Sequence, residues 1–269
     1  MKLKYLGTAA AEAFPAVFCN CKYCNEAREL GGKNVRTRSQ AMINDDLLID
    51  CPADSYSHFL SHGIEADKIK TLIITHAHSD HLYPSDLFMR GSYYAHNMLT
   101  PELDVVCSSG TYEKIGKKPY SVNVTLIKPY ETIEINGYKI TAIPALHNSV
   151  KEPLFYVIEG DKCVLYAHDT GYFSEEIFDF IEKRAFKFDM VSLDCTNVDL
   201  PVSENEGHMG FVNLPSLVER LKKTGAIGES TLCYVNHFSH NGNPLHDHLC
   251  ERAASYGMLA SYDGCEIDL

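Results

Sequence analysis

Apolar positions along the chain fall into short runs closed by turn or polar residues, at 3–6, 40–43, 47–50, 71–75, 105–107, 138–143, 154–158, 163–167, 190–193 and 232–235. Their length and their content of Val, Ile, Leu and Tyr predict strands. Asn44-Asp45-Asp46 and Glu159-Gly160-Asp161-Lys162 separate two pairs of them, and such turn-forming stretches predict hairpins at both places. Segments 57–63, 84–97, 109–116, 174–184 and 213–224 space their apolar residues at helical intervals, with Ser, Asn or Pro near their starts and Gly or basic residues near several ends. Strands with helices interspersed in both halves suit an α/β chain in which two β-sheets pack face to face with helices outside. No internal repeat, low-complexity tract or Pro/Gly/Ser-rich linker marks a boundary, so residues 1–269 read as a single domain.

Composition narrows the setting. At 45% hydrophobic and 22% charged residues the chain has the make-up of a folded globule, and no apolar run approaches the roughly 20 residues of a membrane helix. A soluble protein with no membrane partner is expected. The opening Met1-Lys-Leu-Lys-Tyr-Leu-Gly reads as a first strand rather than a signal peptide. Of the 10 cysteines, three bunch at Cys19, Cys21 and Cys24 while the others are scattered, which suits reduced thiols with a metal cluster and a cytoplasmic location. With 24 Lys+Arg against 36 Asp+Glu the formal net charge is -12, so nucleic acid is a poor default partner. The basic groups near 113–118 and 220–223 read as solvated faces rather than an RNA platform.

The strongest chemical signal is Thr71-Leu-Ile-Ile-Thr-His76-Ala-His78-Ser-Asp80-His81, a strand that runs directly into four metal-type ligands. Alternation along an extended chain puts His76 and His78 on one side, and the following turn swings Asp80 and His81 toward a second point. Two adjacent metal ions are the natural consequence. Imidazole with carboxylate suits Zn, Mn or Fe, and no thiolate is present in this cluster to favour a closed structural site.

This segment resembles the metallo-β-lactamase fold superfamily of metal-dependent hydrolases, and the resemblance extends over essentially the whole chain. It implies an αββα four-layer sandwich and supplies further site residues. Asp50, ending Leu-Leu-Ile-Asp, resembles an aspartate that orients a ligating histidine. His147 in Ala142-Ile-Pro-Ala-Leu-His, Asp169 in Tyr166-Ala-His-Asp-Thr-Gly, and His237 after the strand at 232–235 resemble the remaining ligands. By similarity His76, His78 and His147 hold one metal, Asp80, His81 and His237 hold the other, and Asp169 bridges them. His168 competes with Asp169 for that role, but a bridge between two cations calls for an anion with two oxygens, which leaves His168 structural.

Cys19-Asn-Cys21-Lys-Tyr-Cys24 offers three soft ligands, and His240 can supply a fourth. This arrangement resembles the PhnP-type phosphodiesterase branch, related to ribonuclease Z, in which such a set holds one structural zinc. Glu206-Gly-His208-Met-Gly resembles that branch's additional histidine, with Asp194 in Ser192-Leu-Asp-Cys-Thr as its acidic partner. The resemblance therefore implies His208, Asp194 and Asp80 as catalytic residues, with His208 serving as general acid or as a stabiliser of charge on phosphate oxygens. The family's early glycine-rich loop departs here to Leu6-Gly-Thr-Ala-Ala-Ala, and the stretch after His81 departs to Leu-Tyr83-Pro-Ser-Asp. The expected activity is hydrolysis of a small cyclic or linear phosphodiester with two divalent ions, Mn or Zn with Fe as a further option. A ribonuclease Z-like endonuclease and a PqqB-like iron-dependent oxygen-using protein are the alternatives. A homodimer is compatible with the sequence.

Overall fold

In the computed structural model, which describes residues 1–91, 93–203 and 206–269, the apolar runs form two mixed seven-stranded sheets. The first contains β1 (Lys2–Gly7), β2 (Gln40–Ile43), β3 (Leu47–Ile49), β4 (Thr71–Ile73), β5 (Leu103–Cys107) and β6 (Val122–Leu126) in that spatial order. The second contains β7 (Thr132–Ile135), β8 (Tyr138–Pro144), β9 (Leu154–Glu159), β10 (Cys163–Ala167), β11 (Met190–Asp194), β12 (Leu232–Asn236) and β13 (Leu259–Ala260), also in sequence order across the sheet. β14 (Glu266–Asp268) returns to the first sheet beside β1. The turns at 44–46 and 160–162 join the antiparallel pairs β2/β3 and β9/β10, as their turn chemistry predicts.

Side-chain alternation explains the layering. Tyr5, Ala41, Ile49 and Ile73 from one sheet meet Ile140, Tyr156, Val164 and Tyr166 from the other in the central core. Their sequence neighbours Met42, Leu48 and Leu72 face outward under α2 (Ser55–His62). Val157, Leu165 and Val191 face outward on the second sheet, under α5 (Glu175–Arg184), α6 (Leu214–Lys223) and α7 (His246–Ala254). Strands buried on both faces read as continuous apolar runs, which is what the chain displays. The result is the αββα sandwich. A buried hydrogen bond ties its two sheets, with Tyr5 Oη 2.5 Å from Ser192 Oγ.

One predicted helix is corrected. The segment 84–97 holds only α3 (Pro84–Leu87) and a single tight turn, Phe88–Arg90, before Gly91 ends it; Ser92 within that segment lies outside the described residues. Its apolar side chains line a cavity instead of forming one helix face. The sequence pattern also passed over α1 (Lys22–Leu30) and α7, each with only two buried side chains, and the half-exposed strands β6 and β7. α4 (Ser109–Ile115) starts where predicted, with Ser108 Oγ accepting from Thr111 N. Among the described residues no helix is long and apolar enough to cross a membrane.

Candidate metal centre

The predicted site residues gather at one end of the sandwich, where strands release the chain. Asp50 follows β3, residues 76–81 follow β4, His147 follows β8, Asp169 follows β10, Asp194 ends β11 and His237 follows β12. A crevice at the carboxyl ends of strands is the usual ligand site of α/β sheets. Three of these residues hold left-handed backbone, Asp50 at φ 65°, Asp169 at 50° and His237 at 65°. Such conformations cost about 1 kcal/mol or more each and persist where surrounding bonds over-determine them. Here they turn a side chain inward just beyond a strand's end. Beyond β4 the chain is held between the sheets, because Tyr156 Oη donates to Ile74 O at 2.8 Å and Leu154 N donates to Thr75 O at 2.9 Å.

Hydrogen bonds on the outer nitrogens fix how the imidazoles face inward. His81 Nδ1 donates to Asp50 Oδ2 at 2.7 Å, and His237 Nδ1 to Thr196 Oγ1 at 2.8 Å. His147 Nδ1 donates to Gly207 O at 3.3 Å, and His76 Nδ1 to Thr75 Oγ1 at 3.0 Å, since the Thr75 hydroxyl is itself committed to Asp50. All four rings therefore turn Nε2 toward the interior, the nitrogen that a cation would meet in place of a proton. His78 is reversed. Its Nε2 donates to Ser149 Oγ at 3.2 Å, and its Nδ1 lies 3.0 Å from both His76 Nε2 and His147 Nε2.

Two acceptor clusters result. His76, His78 and His147 form one; Asp80, His81, Asp169 and His237 form the other. In the second, His81 Nε2 and His237 Nε2 stand 3.3 Å apart, and Asp169 Oδ2 lies 2.8 Å and 2.9 Å from them. Asp80 Oδ2 is 3.3 Å from His81 Nε2. Asp169 Oδ1 reaches toward the first cluster, 3.7 Å from His147 Nε2. Lone pairs facing lone pairs at these separations repel unless positive charge lies among them, so this donor set fits divalent cations.

The site's acid–base balance makes the same demand. Burial opposes a charged His237, yet Asp169 beside it outweighs burial and pushes it up to about 10. His81 is likewise raised, against burial, by Asp169, Asp80 and Asp50. In the first cluster burial, followed by repulsion from His81, holds His76 well below the usual histidine range, and burial lowers His147 too. Asp169 stays anionic, because His237 and His81 outweigh the burial that would protonate it.

His208 and Asp194 adjoin this centre. Asp194 is fully buried and accepts from Asp169 N, Met209 N and Thr196 N at 2.9, 2.9 and 3.1 Å, and from Thr196 Oγ1 at 3.1 Å. His208 Nδ1 donates to Asp194 Oδ2 at 3.1 Å and lies 3.9 Å from Asp169 Oδ1. Burial lowers the His208 pKa, but Asp194 more than offsets it and raises it above the ordinary value. The loop that carries His208 needs two glycines. A Cβ on Gly171 would stand 1.9 Å from Glu206 O, and one on Gly207 would stand 2.9 Å from His147 Nδ1. His168 points elsewhere, its Nε2 donating to Ser192 Oγ at 2.7 Å and its Nδ1 facing Asn236 Nδ2 at 3.4 Å.

A second donor set lies beside the centre. Cys21 Sγ and Cys24 Sγ are each 3.7 Å from His240 Nδ1, and Cys19 completes the group. Three sulfurs and one imidazole nitrogen are a tetrahedral zinc donor set. The bond to His240 pulls the Cys21 thiol down to about 6, whereas burial pushes Cys24 up to about 12. The early loop at 8–10 spends its amides internally, Thr8 N and Ala9 N on Thr37 O and Ala10 N on Phe238 O, which keeps them from a phosphate.

Sequence reasoning passed over Thr75, Thr196 and Ser149, whose hydroxyls set the imidazole tautomers. Their signal was position, since Thr75 directly precedes His76 and Ser149 follows His147 by two residues.

Residues 46–232 match the pattern of the Beta-lactamase superfamily domain. Ribonuclease Z of Streptococcus pyogenes serotype M5 (strain Manfredo) is 23% identical over 167 residues, 62% of this chain and 45% of the relative. The matched region thus spans less than half the length of that curated relative. A diphosphatase from the PhnP family superposes with a TM-score of 0.76 at 20% identity, covering 99% of this chain and 96% of that one. Zn(2+)-bound PqqB from Methylobacterium extorquens superposes at 0.75 with 17% identity and full coverage of both chains. These superpositions establish the shared fold.

Proposed function

This chain belongs to the β-lactamase superfamily, and from that premise we propose that it is a metal-dependent hydrolase of the PhnP-like branch that cleaves a small cyclic or linear phosphodiester. The observation that carries the proposal is the inward turn of Nε2 on His76, His81, His147 and His237 around Asp169, whose two oxygens reach toward both acceptor clusters. Divalent cations held there would lower the pKa of bound water toward about 7 and neutralise phosphate oxygens. The names of the relatives, ribonuclease and diphosphatase, both denote cleavage at phosphate groups.

The chain's own residues supply the rest. Asp50, Thr75, Thr196 and Gly207 O hold the ligand tautomers, so ordering costs are met before substrate arrives. His208, hydrogen-bonded to Asp194, which raises its pKa, serves to donate a proton to the departing alkoxide or to a nonbridging oxygen. A small diester is favoured over RNA because the chain carries a net charge of -12.

The test is turnover of bis(4-nitrophenyl) phosphate, a 2′,3′-cyclic nucleotide and a structured RNA by protein of measured Zn, Mn and Fe content. We expect turnover of the small diesters, its loss in Asp169→Asn, and little RNA cleavage. RNA cleavage without small-diester turnover would instead assign a ribonuclease Z-like activity. Oxygen consumption by Fe-loaded protein without any ester cleavage would overturn the hydrolase reading.

A further inference from the structure

A chain of hydrogen bonds that includes none of the metal-type ligands runs from the turn before β14 to the back of the metal centre. At its outer end Asp263 Oδ1 lies 2.6 Å from Thr8 Oγ1, and Asp263 Oδ2 accepts from Thr37 N at 2.7 Å and lies 2.6 Å from Thr37 Oγ1. Thr37 Oγ1 is also 2.7 Å from Nε2 of His58, on α2. His58 Nδ1 lies 2.6 Å from Gln40 Oε1, and Gln40 Nε2 donates at 2.9 Å both to Asp50 O and to Ser55 Oγ. Gln40, His58 and Asp50 are buried, whereas Thr37 and Asp263 are half-buried.

The donors and acceptors of this chain can be counted. Gln40 must turn its NH2 toward Asp50, because Asp50 O only accepts and the Ser55 hydroxyl is committed to Pro52 O at 2.6 Å. Its Oε1 therefore faces His58, whose Nδ1 must carry a proton. The Thr37 hydroxyl then has one hydrogen for two close neighbours, His58 Nε2 and Asp263 Oδ2. With a neutral His58 and an ionised Asp263, one of those contacts sets lone pair against lone pair. One additional proton removes the conflict, as the acid form of Asp263 or as the imidazolium of His58. The two forms interconvert when the Asp263 proton passes to Thr37 Oγ1 as the Thr37 proton passes to His58 Nε2. The surroundings favour the acid form. Burial lowers His58 to about 4, opposed by Asp54 and assisted by His62, and burial raises Asp263 against the pull of its bonds to Thr37 and Thr8 and of the Arg36 charge.

We propose that Asp263, Thr37 and His58 hold one shared proton and, through Gln40, position Asp50 behind the metal centre. The peptide that follows Asp50 is held from both sides, its oxygen by Gln40 and its nitrogen by His81 O, to which Cys51 N donates at 2.8 Å. The same peptide thus ties the chain to the backbone of His81, whose ring Asp50 orients. This positioning role rests on the proposed metal centre; the proton count does not.

Two readouts test the two halves separately. In wild-type protein at pH 7, imidazole 15N and carboxyl 13C shifts should show His58 protonated on Nδ1 and Asp263 in its acid form. An imidazolium beside an ionised Asp263 would also bear out the shared proton, and a neutral His58 beside an ionised Asp263 would overturn it. Zn affinity at the ion held by Asp80, His81 and His237 tests the positioning. Thr37→Val should weaken it about tenfold, the scale of one lost hydrogen bond, and shift the His58 resonances, whereas Thr37→Ser, which keeps the hydroxyl, should match the wild type. If Thr37→Val fails to fold, Gln40→Leu carries the same expectation for Zn. Unchanged Zn affinity in a folded Thr37→Val or Gln40→Leu protein, or a Thr37→Ser protein as weak as Thr37→Val, would overturn the positioning role. A wild type that binds no Zn would overturn it together with the hydrolase reading, and the spectra would still decide the shared proton.

Discussion

Replacing Asp50 by Asn changes one atom of a buried carboxylate and tests how the centre is held together. Asp50 accepts from Thr75 N at 2.8 Å, from Thr75 Oγ1 at 3.0 Å and from His81 Nδ1 at 2.7 Å. Asn fits the same volume and tolerates the φ of 65° at this position, so the backbone is not the variable. An amide has one acceptor oxygen. If it serves Thr75 N, the NH2 group meets His81 Nδ1–H, and the clash is relieved only when the His81 proton moves to Nε2, the nitrogen 2.8 Å from Asp169 Oδ2. If it serves His81, a buried Thr75 N–H loses its acceptor. Either way one charge-assisted bond is lost, worth about 1.5–3 kcal/mol. The same range corresponds to the 10–100-fold loss of metal affinity typical of removing a carboxylate behind a ligating histidine. Metal analysis after dialysis at fixed free Zn should therefore show one ion weakened about 10–100-fold, with the ion at His76, His78 and His147 retained. Imidazole 15N shifts should report His81 changing tautomer. Wild-type affinity for both ions in Asp50→Asn, with His81 still protonated on Nδ1, would refute the account of how Nε2 is made available.

Three other perturbations separate the remaining parts. Cys21→Ser should release one zinc and lower the melting temperature while leaving the active-site ions in place; retention of all zinc by elemental analysis would show the sulfur site misassigned. Gly171→Ala puts a Cβ 1.9 Å from Glu206 O and must displace the loop leading to His208, so kcat should fall about tenfold or more at unchanged metal content; unchanged kcat would mean His208 is not positioned by that contact. His246 is held down to about 4 by burial and by Arg36, whose Nη2 lies 3.2 Å from its Nδ1. The unfolded chain, with a histidine near 6.5, takes up the proton first, so stability is full above that pH and is lost as pH falls toward 4. Urea unfolding of His246→Gln should lose part of this acid sensitivity, and identical pH profiles for the two proteins would reject the assignment.

The layering was legible because both faces of most strands are buried, which leaves apolar runs that need no partner information to be recognised. β6 and β7 escaped for the opposite reason, their exposed positions diluting the pattern. The segment 84–97 misled because helical spacing records only that several side chains reach one apolar volume. Gly91 and the closure of Arg90 onto Thr100 O decide that they line a cavity instead. At the metal centre the turn 76–81 announces itself locally, whereas Asp50, His147, Asp169 and His237 are separated by long stretches and emerged through resemblance to a family. The hydroxyls of Thr75, Thr196 and Ser149 are marked at most by standing near a ligand in the sequence. Their part depends on which ring nitrogen faces them, and that is set by backbone turns that leave no signature in a single sequence.

The charge of the centre bears on how so acidic a chain would accommodate the anionic substrate proposed for it. Four carboxylates converge there, but they do different work. Asp50 and Asp194 face N–H and O–H donors on every side, so their charge is already compensated within the protein. Asp80 and Asp169 face imidazole lone pairs, and their charge is left for whatever lies between the clusters. Two divalent cations set against those two carboxylates would leave a net charge of about +2 facing the crevice. At contact distances this outweighs a diffuse surface charge screened over roughly 8–10 Å. On the proposed reading the hydrogen-bonded carboxylates orient the ligand set, the unpaired ones would retain the ions, and the sign presented to a phosphodiester would be opposite to that of the chain.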